Sequence, residues 1–237
     1  TGPHPPGPRT GLDGEEGERQ EAIIRALIPG YASLARLGVA LLAASPRAAS
    51  SGASVLVAGC GSGAELLEAR SQRPDWQLTA LDPSAAMLER ARSRLRGHSA
   101  ITWCQGTVES LEGEARFDGA LAVLVLQSLP DDGSKLAFLV ALARSLRQGA
   151  QVVLVDLMRP ERSPLQEQLV EARLGFQRAS GLEPGSSASR GLAAPAEALH
   201  PIGLSRLTAL VAAAGFGDPA PVFQALDVEG FLLQRRD

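Results

Sequence analysis

The chain has 237 residues, 45% of them hydrophobic, and a formal net charge of -3 at pH 7, which suits one well-buried α/β domain and is short for two. With a pI near 5.7 it lacks the basic surface that polynucleotide binding needs. No apolar run approaches the roughly 20 residues of a membrane-spanning helix, and the opening TGPHPPGPRTG has no signal-peptide core, so a cytoplasmic protein is expected.

Residues 1–14 are rich in Pro and Gly and read as a disordered tail ahead of a single domain at 15–237. Residues 15–50 form two cap helices. The first, 15–28, carries Ile23, Ile24, Leu27 and Ile28 at helical spacing and stops at Pro29-Gly30; the second, 32–44, has Leu34, Leu37, Leu41 and Leu42 on its apolar face. From 51 to 157 short apolar runs alternate with helical segments: SVLVA, AELLEARSQ, QLTALD, SAAMLERARSRL, ITWCQ, GALAVLVL, SKLAFLVALARSL and AQVVLVD. Five strands separated by helices predict a mostly parallel sheet with right-handed crossovers and helices on both faces. In the lid, 158–202, only PLQEQLVEARLGFQRA reads as helix. Residues 203–237 close the chain with the helix LSRLTALVAAAG and two runs, PAPVFQAL and VEGFLLQRR, suited to an antiparallel pair. Cys60 and Cys104 stand far apart with no His or Cys at ligand spacing, so neither a metal site nor a disulfide is indicated. Lys135, the single lysine, carries no functional weight on sequence grounds.

Gly59, Gly61 and Gly63 lie in VLVAGCGSGAE, between the first strand and the helix that starts near Ala64. A strand-to-helix turn at the carboxyl end of a parallel sheet is where α/β proteins bind ligands, because amides point there and glycine lets a ligand touch the backbone. Gly59-x-Gly61-x-x-Ala64 satisfies the looser dinucleotide fingerprint, so the turn alone does not separate NAD from other nucleosides. Asp82 ends the second strand, where a carboxylate can accept from both hydroxyls of a ribose; followed by Pro83, it is equally a helix N-cap. Tyr31 and Lys135 are remote from each other and do not make a hydride-transfer pair. Among the histidines, His4 belongs to the tail and His98 to a connection, which leaves His200 as the imidazole candidate, with a solvent-facing loop residue as its other reading.

The series VLVAGCGSGAE, LTALDPSAAMLERAR, ITWCQGTVESL, FDGALAVLVLQSLPDD and LARSLRQGAQVVLVDL, closed by AGFGDPAPVFQALDVEGFLLQRR, resembles class I S-adenosylmethionine-dependent methyltransferases over nearly all of the ordered length. The resemblance implies a Rossmann-like, seven-stranded, mostly parallel sheet with an antiparallel C-terminal hairpin, and a pocket for S-adenosyl-L-methionine or S-adenosyl-L-homocysteine at the ends of strands one to four. By position it implies Gly59, Cys60, Gly61, Ser62 and Gly63 against the methionine part and the sugar, and Asp82 on the ribose. Pro83 and Met87 would meet the adenine face, Gln105, Gly106, Thr107 and Val108 its edge, and Ala122 and Val123 the reactive end. Thr107 stands where the family often has an aspartate; its hydroxyl or the Val108 amide can serve the ring instead.

Within that superfamily the flanks IIRALIPGYASLARLG, LVLQSLPDD, GFQRASG and AGFGDPAPVFQAL are similar to carboxy-S-adenosylmethionine synthase homologues of the tRNA uridine-5-oxyacetic acid pathway. This implies Tyr31 closing over the ligand and Arg190, in the lid, offering a bidentate fork to the extra carboxylate of carboxy-S-adenosylmethionine; an exposed loop arginine is the other reading of Arg190. Val123 replaces an asparagine of that family and Thr107 an aspartate. Both changes make the reactive end less polar and favour a methyltransferase for a small-molecule acceptor over a synthase that uses prephenate. A non-catalytic adenosylmethionine-binding module is the reading from a different class. Methyl transfer asks for alignment and exclusion of water rather than a catalytic dyad, so no catalytic residue is assigned, and Arg190 and His200 stand only as candidates. The cap helices and the lid contain only Tyr31 and Phe176 as aromatics, which argues against stacking on nucleic-acid bases. The helix at 32–44 is read as core, with a homodimer interface as the alternative.

Overall fold

The structure, a computed structural model, describes residues 12–98, 100–160, 164–186 and 199–236. Three strands coincide with apolar runs residue for residue: β1 (Ser54–Ala58), β2 (Gln77–Asp82) and β3 (Ile101–Gln105). They are followed by β4 (Phe117–Val123), β5 (Leu146–Leu157), β6 (Ala220–Ala225) and β7 (Val228–Gln234). Helices α1 (Leu12–Leu27) and α2 (Tyr31–Ala43) precede the sheet; α3 (Ala64–Gln72), α4 (Ala85–Arg94), α5 (Ser134–Ser145), α6 (Gln166–Ala179) and α7 (Leu204–Ala214) connect its strands.

The seven strands form one sheet in the order β3-β2-β1-β4-β5-β7-β6. β1 to β5 run parallel, and β7 pairs antiparallel with both β5 and β6. This is the expected Rossmann-like architecture with its terminal hairpin. The strand order reverses between β1 and β4, so the crossovers leave in opposite directions there and a crevice opens at the strand ends.

Strand residues alternate between two cores, as the two-residue period of a strand requires. Leu56, Ala58, Ala120, Ala122, Val152 and Leu154 face Phe138, Leu142, Leu207 and Val211 of α5 and α7. Val55, Val57, Leu121, Val153 and Val155 face Leu34, Leu42, Leu66 and Leu88 of α2, α3 and α4. The Leu-rich second helix is therefore core, with Leu34, Val39 and Leu42 at 2% exposure or less.

β4 stops at Val123, earlier than the run GALAVLVL predicts. Leu124 has φ of 59° while its amide donates to the Val155 carbonyl at 2.7 Å. A left-handed residue cannot continue a strand, so the chain leaves the sheet and enters a short helical turn at Leu126–Ser128. The expected tail falls mostly on residues 1–11, outside those described, as do residues 187–198 of the lid with Arg190.

α2 approaches β4 closely enough that Gly119 has no room for a side chain: a Cβ there would sit 2.7 Å from Leu42 Cδ1 and 3.3 Å from the Gln151 carbonyl oxygen. Gly119→Ala is therefore expected to lower the unfolding free energy by about 1–3 kcal/mol through overpacking. Urea unfolding checks this, with the midpoint falling and the slope unchanged.

Candidate functional site

The chain leaves β1 through three left-handed glycines, Gly59, Gly61 and Gly63, with φ of 69°, 51° and 91°. The amides of Gly59 and Cys60 both donate to the Leu81 carbonyl, at 2.8 and 3.0 Å. The Gly61 amide donates to Asp82 Oδ2 at 2.9 Å, and Asp82 Oδ1 accepts from the Ser84 amide at 2.8 Å. Ser84 Oγ in turn accepts from the Met87 amide at 3.2 Å and caps α4. The glycine turn is thus stitched to the end of β2. A Cβ on Gly61 would meet nothing within 4 Å, so this backbone faces open space, whereas one on Gly59 would lie 2.5 Å from Val125 Cγ2.

A cavity of about 440 Å³ occupies this corner. Of the residues singled out in the sequence, Tyr31, Gly59, Cys60, Gly61, Ser62, Asp82, Pro83, Met87, Gly106, Thr107, Val108 and Val123 line it. Four others are described but lie elsewhere. Gly63 turns into the α3–α4 packing, where a Cβ would be 3.2 Å from Ala91 Cβ. Gln105 is exposed, with its side chain 3.4 Å from the Pro83 carbonyl. Ala122 is buried in the core on the α5 side. His200 is exposed and contributes its amide to the Gln127 carbonyl at 2.7 Å. Burial pushes the Cys60 thiol up to about 12 and the Tyr31 phenol well above its ordinary value, so both are protonated at neutral pH.

The remaining lining comes from residues that the sequence did not single out. Val125, Leu129 and Phe138 extend an apolar wall from Val123 and Leu124, and Glu21, Ile24, Glu65 and Glu109 add to the polar side. Arg94 of α4 joins three elements: it donates to the carbonyl and the hydroxyl of Ser62, both at 3.0 Å, and to Glu21 Oε2 at 2.7 Å. Arg25 holds the other oxygen of Glu21 at 2.8 Å. α1 is thereby anchored to the glycine turn. Nothing local foretells a pairing between residues 21 and 94; only Glu65, next to the turn in VLVAGCGSGAE, has a position in the sequence that could have drawn notice.

The apolar wall rests on a buried polar clamp. Asp156, at the end of β5 and 2% exposed, accepts from the Gln127 amide at 3.0 and 3.1 Å and from the Leu157 amide at 3.0 Å. The Gln127 side chain accepts from the Leu157 amide at 3.1 Å. Lys135, 1% exposed, donates to the Leu126 carbonyl at 2.6 Å. Burial drives the Asp156 carboxyl up, to about 7, while the amides and Lys135 pull it back. The lone lysine therefore holds the wall-forming loop.

Residues 55–150 match a family model described as a methyltransferase domain. Among the curated relatives, carboxy-S-adenosyl-L-methionine synthase of Aeromonas salmonicida is 28% identical over 67% of the chain and 64% of that protein. The chain thus spans less than two thirds of that relative. The synthase of Pseudomonas fluorescens is 29% identical over 86% of the chain and 84% of that protein. Among solved structures, the 1,6-didemethyltoxoflavin-N1-methyltransferase of Burkholderia thailandensis, with its substrate and S-adenosylhomocysteine bound, superposes with a TM-score of 0.58 at 19% identity. That superposition covers 99% of this chain and 94% of the other, and it concerns the fold.

Removing Asp156 leaves the Gln127 amide without its acceptor in the interior. Asp156→Ala is expected to lose about 1–3 kcal/mol of stability, and denaturant unfolding of the variant beside the parent measures it.

Proposed function

We propose that the chain transfers a methyl group from S-adenosyl-L-methionine to a small-molecule acceptor. The observation that carries this is the convergence of the bare Gly61 backbone and the Asp82 carboxylate on one 440 Å³ cavity at the switch point of the sheet. A cavity of this size suits a nucleoside-sized ligand. Each Asp82 oxygen accepts one backbone amide and keeps lone-pair directions for ribose hydroxyls. The Gly106-Thr107-Val108 turn and Met87 lie beside it, where an adenine would extend.

When bound, the sulfonium supplies the electrophilic methyl carbon. The task of this chain's residues is then alignment. Asp82 fixes the sugar, Val123, Val125, Leu129 and Phe138 keep water from the reacting end, and Tyr31 and Ile24 close the cavity from the cap helices. The clamp of Asp156 and Lys135 fixes the wall that the acceptor would meet.

The similarity to carboxy-S-adenosyl-L-methionine synthases, which in the Pseudomonas fluorescens protein extends over 86% of the chain, favours a second reading, in which the chain makes the carboxylated sulfonium from prephenate. Mass spectrometry of the nucleoside that copurifies separates the two.

With S-adenosylhomocysteine in calorimetric titration, Asp82→Asn is expected to bind roughly ten- to a hundredfold more weakly, the range for a lost hydrogen bond to a charged group. NADH is expected not to bind. Equal affinity of parent and variant, or tight binding of NADH, would sink the adenosyl reading.

A further inference from the structure

The cavity has an uneven charge. Its described lining includes four carboxylates, Glu21, Glu65, Asp82 and Glu109, and no lysine, arginine or histidine. Three of the four have an evident occupation or address. Glu21 is held by Arg25 and Arg94, Asp82 accepts from Gly61 and Ser84, and Glu109 is exposed to solvent. Glu65 differs from all of them. It is 7% exposed, it lines the cavity, and among the described residues no other side chain forms a hydrogen bond or ion pair with it.

An isolated carboxylate removed from water is costly, and a site keeps one when something cationic arrives to meet it. Asp82 and Gly61 would orient the nucleoside part of the ligand, and Glu65, two residues beyond the turn, also lines an adjoining pocket with Arg25, Tyr31 and Arg94 that Pro83 and Met87 do not line. The part of the ligand opposite its adenine is the amino-acid arm. We propose that Glu65 takes the ammonium of that arm. This rests on the adenosyl reading above and adds a positioning residue to it.

The groups that face Glu65 are Glu21 and Arg25 of α1, Tyr31 of α2, Cys60 in the turn, Arg94 of α4 and, on its own helix, Glu68. Burial raises the Glu65 carboxyl to about 7, Glu21 pushes it further up, and Arg94 with the residue's own amide draws it down. Only the ionised form pairs with an ammonium. Affinity for an amino-acid-bearing nucleoside should therefore be full above about pH 7 and fall as the pH drops below it.

The test compares S-adenosylhomocysteine, which has the arm, with 5′-methylthioadenosine, which lacks it, by calorimetry on the parent and on Glu65→Gln, from pH 8 to pH 6. The expected result is that Glu65→Gln weakens S-adenosylhomocysteine roughly ten- to a hundredfold, leaves methylthioadenosine unchanged and abolishes the pH dependence. Unchanged binding of both ligands would overturn the inference while leaving the adenosyl reading intact. Equal weakening of both would also overturn it, by making Glu65 a support of the turn. If the parent binds neither nucleoside, the adenosyl reading fails and the inference fails with it.

Discussion

The corner that holds the candidate ligand cavity depends on one carboxylate that bridges two chain reversals. Asp82 accepts the Gly61 amide with one oxygen and the Ser84 amide with the other, so it sets both the path of the glycine turn and the start of α4. Glycine is needed at 59 and 61 for left-handed backbone, and at 59 also because Val125 leans against it. The Leu81 carbonyl, which accepts from the Gly59 and Cys60 amides, is a second link between the turn and the end of β2. The residue expected to recognise a ribose is also part of the scaffold, and its two roles use different lone pairs of the same oxygens.

Two further layers build outward from that corner by different means. On one side of the cavity, apolar residues 123–125 and 129 form the wall, and a buried polar cluster behind them fixes where they stand. Such a cluster is costly unless every group is paired. Here the carboxylate, the ammonium and the Gln127 amide side chain each meet backbone partners. On the cap side, Arg94 ties Glu21 to Ser62, so the cap helix and the glycine turn are mechanically joined. The result is a cavity with one dry wall and one charged wall.

Much of the fold was legible in the sequence because β1 to β3 are apolar runs bounded by turn residues, and α3 follows its run AELLEARSQ residue for residue. The misjudged end of β4 has a clear cause: Val123 and Leu124 are alike in hydrophobicity, and the left-handed φ of Leu124 leaves no trace in composition. The placement of Asp82, Gly61 and the 106–108 turn in one cavity follows from strand order, which the alternation of elements encodes. Ala122 and Val123, adjacent on β4, separate because strand neighbours face opposite sides: the first enters the core and the second the cavity. Contacts between distant residues, such as Arg94 with Glu21 or Asp156 with Gln127, have no local signature and become visible only in three dimensions.

The interior position of the one lysine has a practical consequence. Every other basic side chain apart from the histidines is an arginine, and Lys135 is 1% exposed with its ammonium spent on a backbone carbonyl. Reagents that acylate primary amines would find no lysine target on the native surface beyond the chain's own amino terminus. Acylation of Lys135 would therefore act as a clock for local opening, reporting how often the floor beneath the cavity wall comes apart.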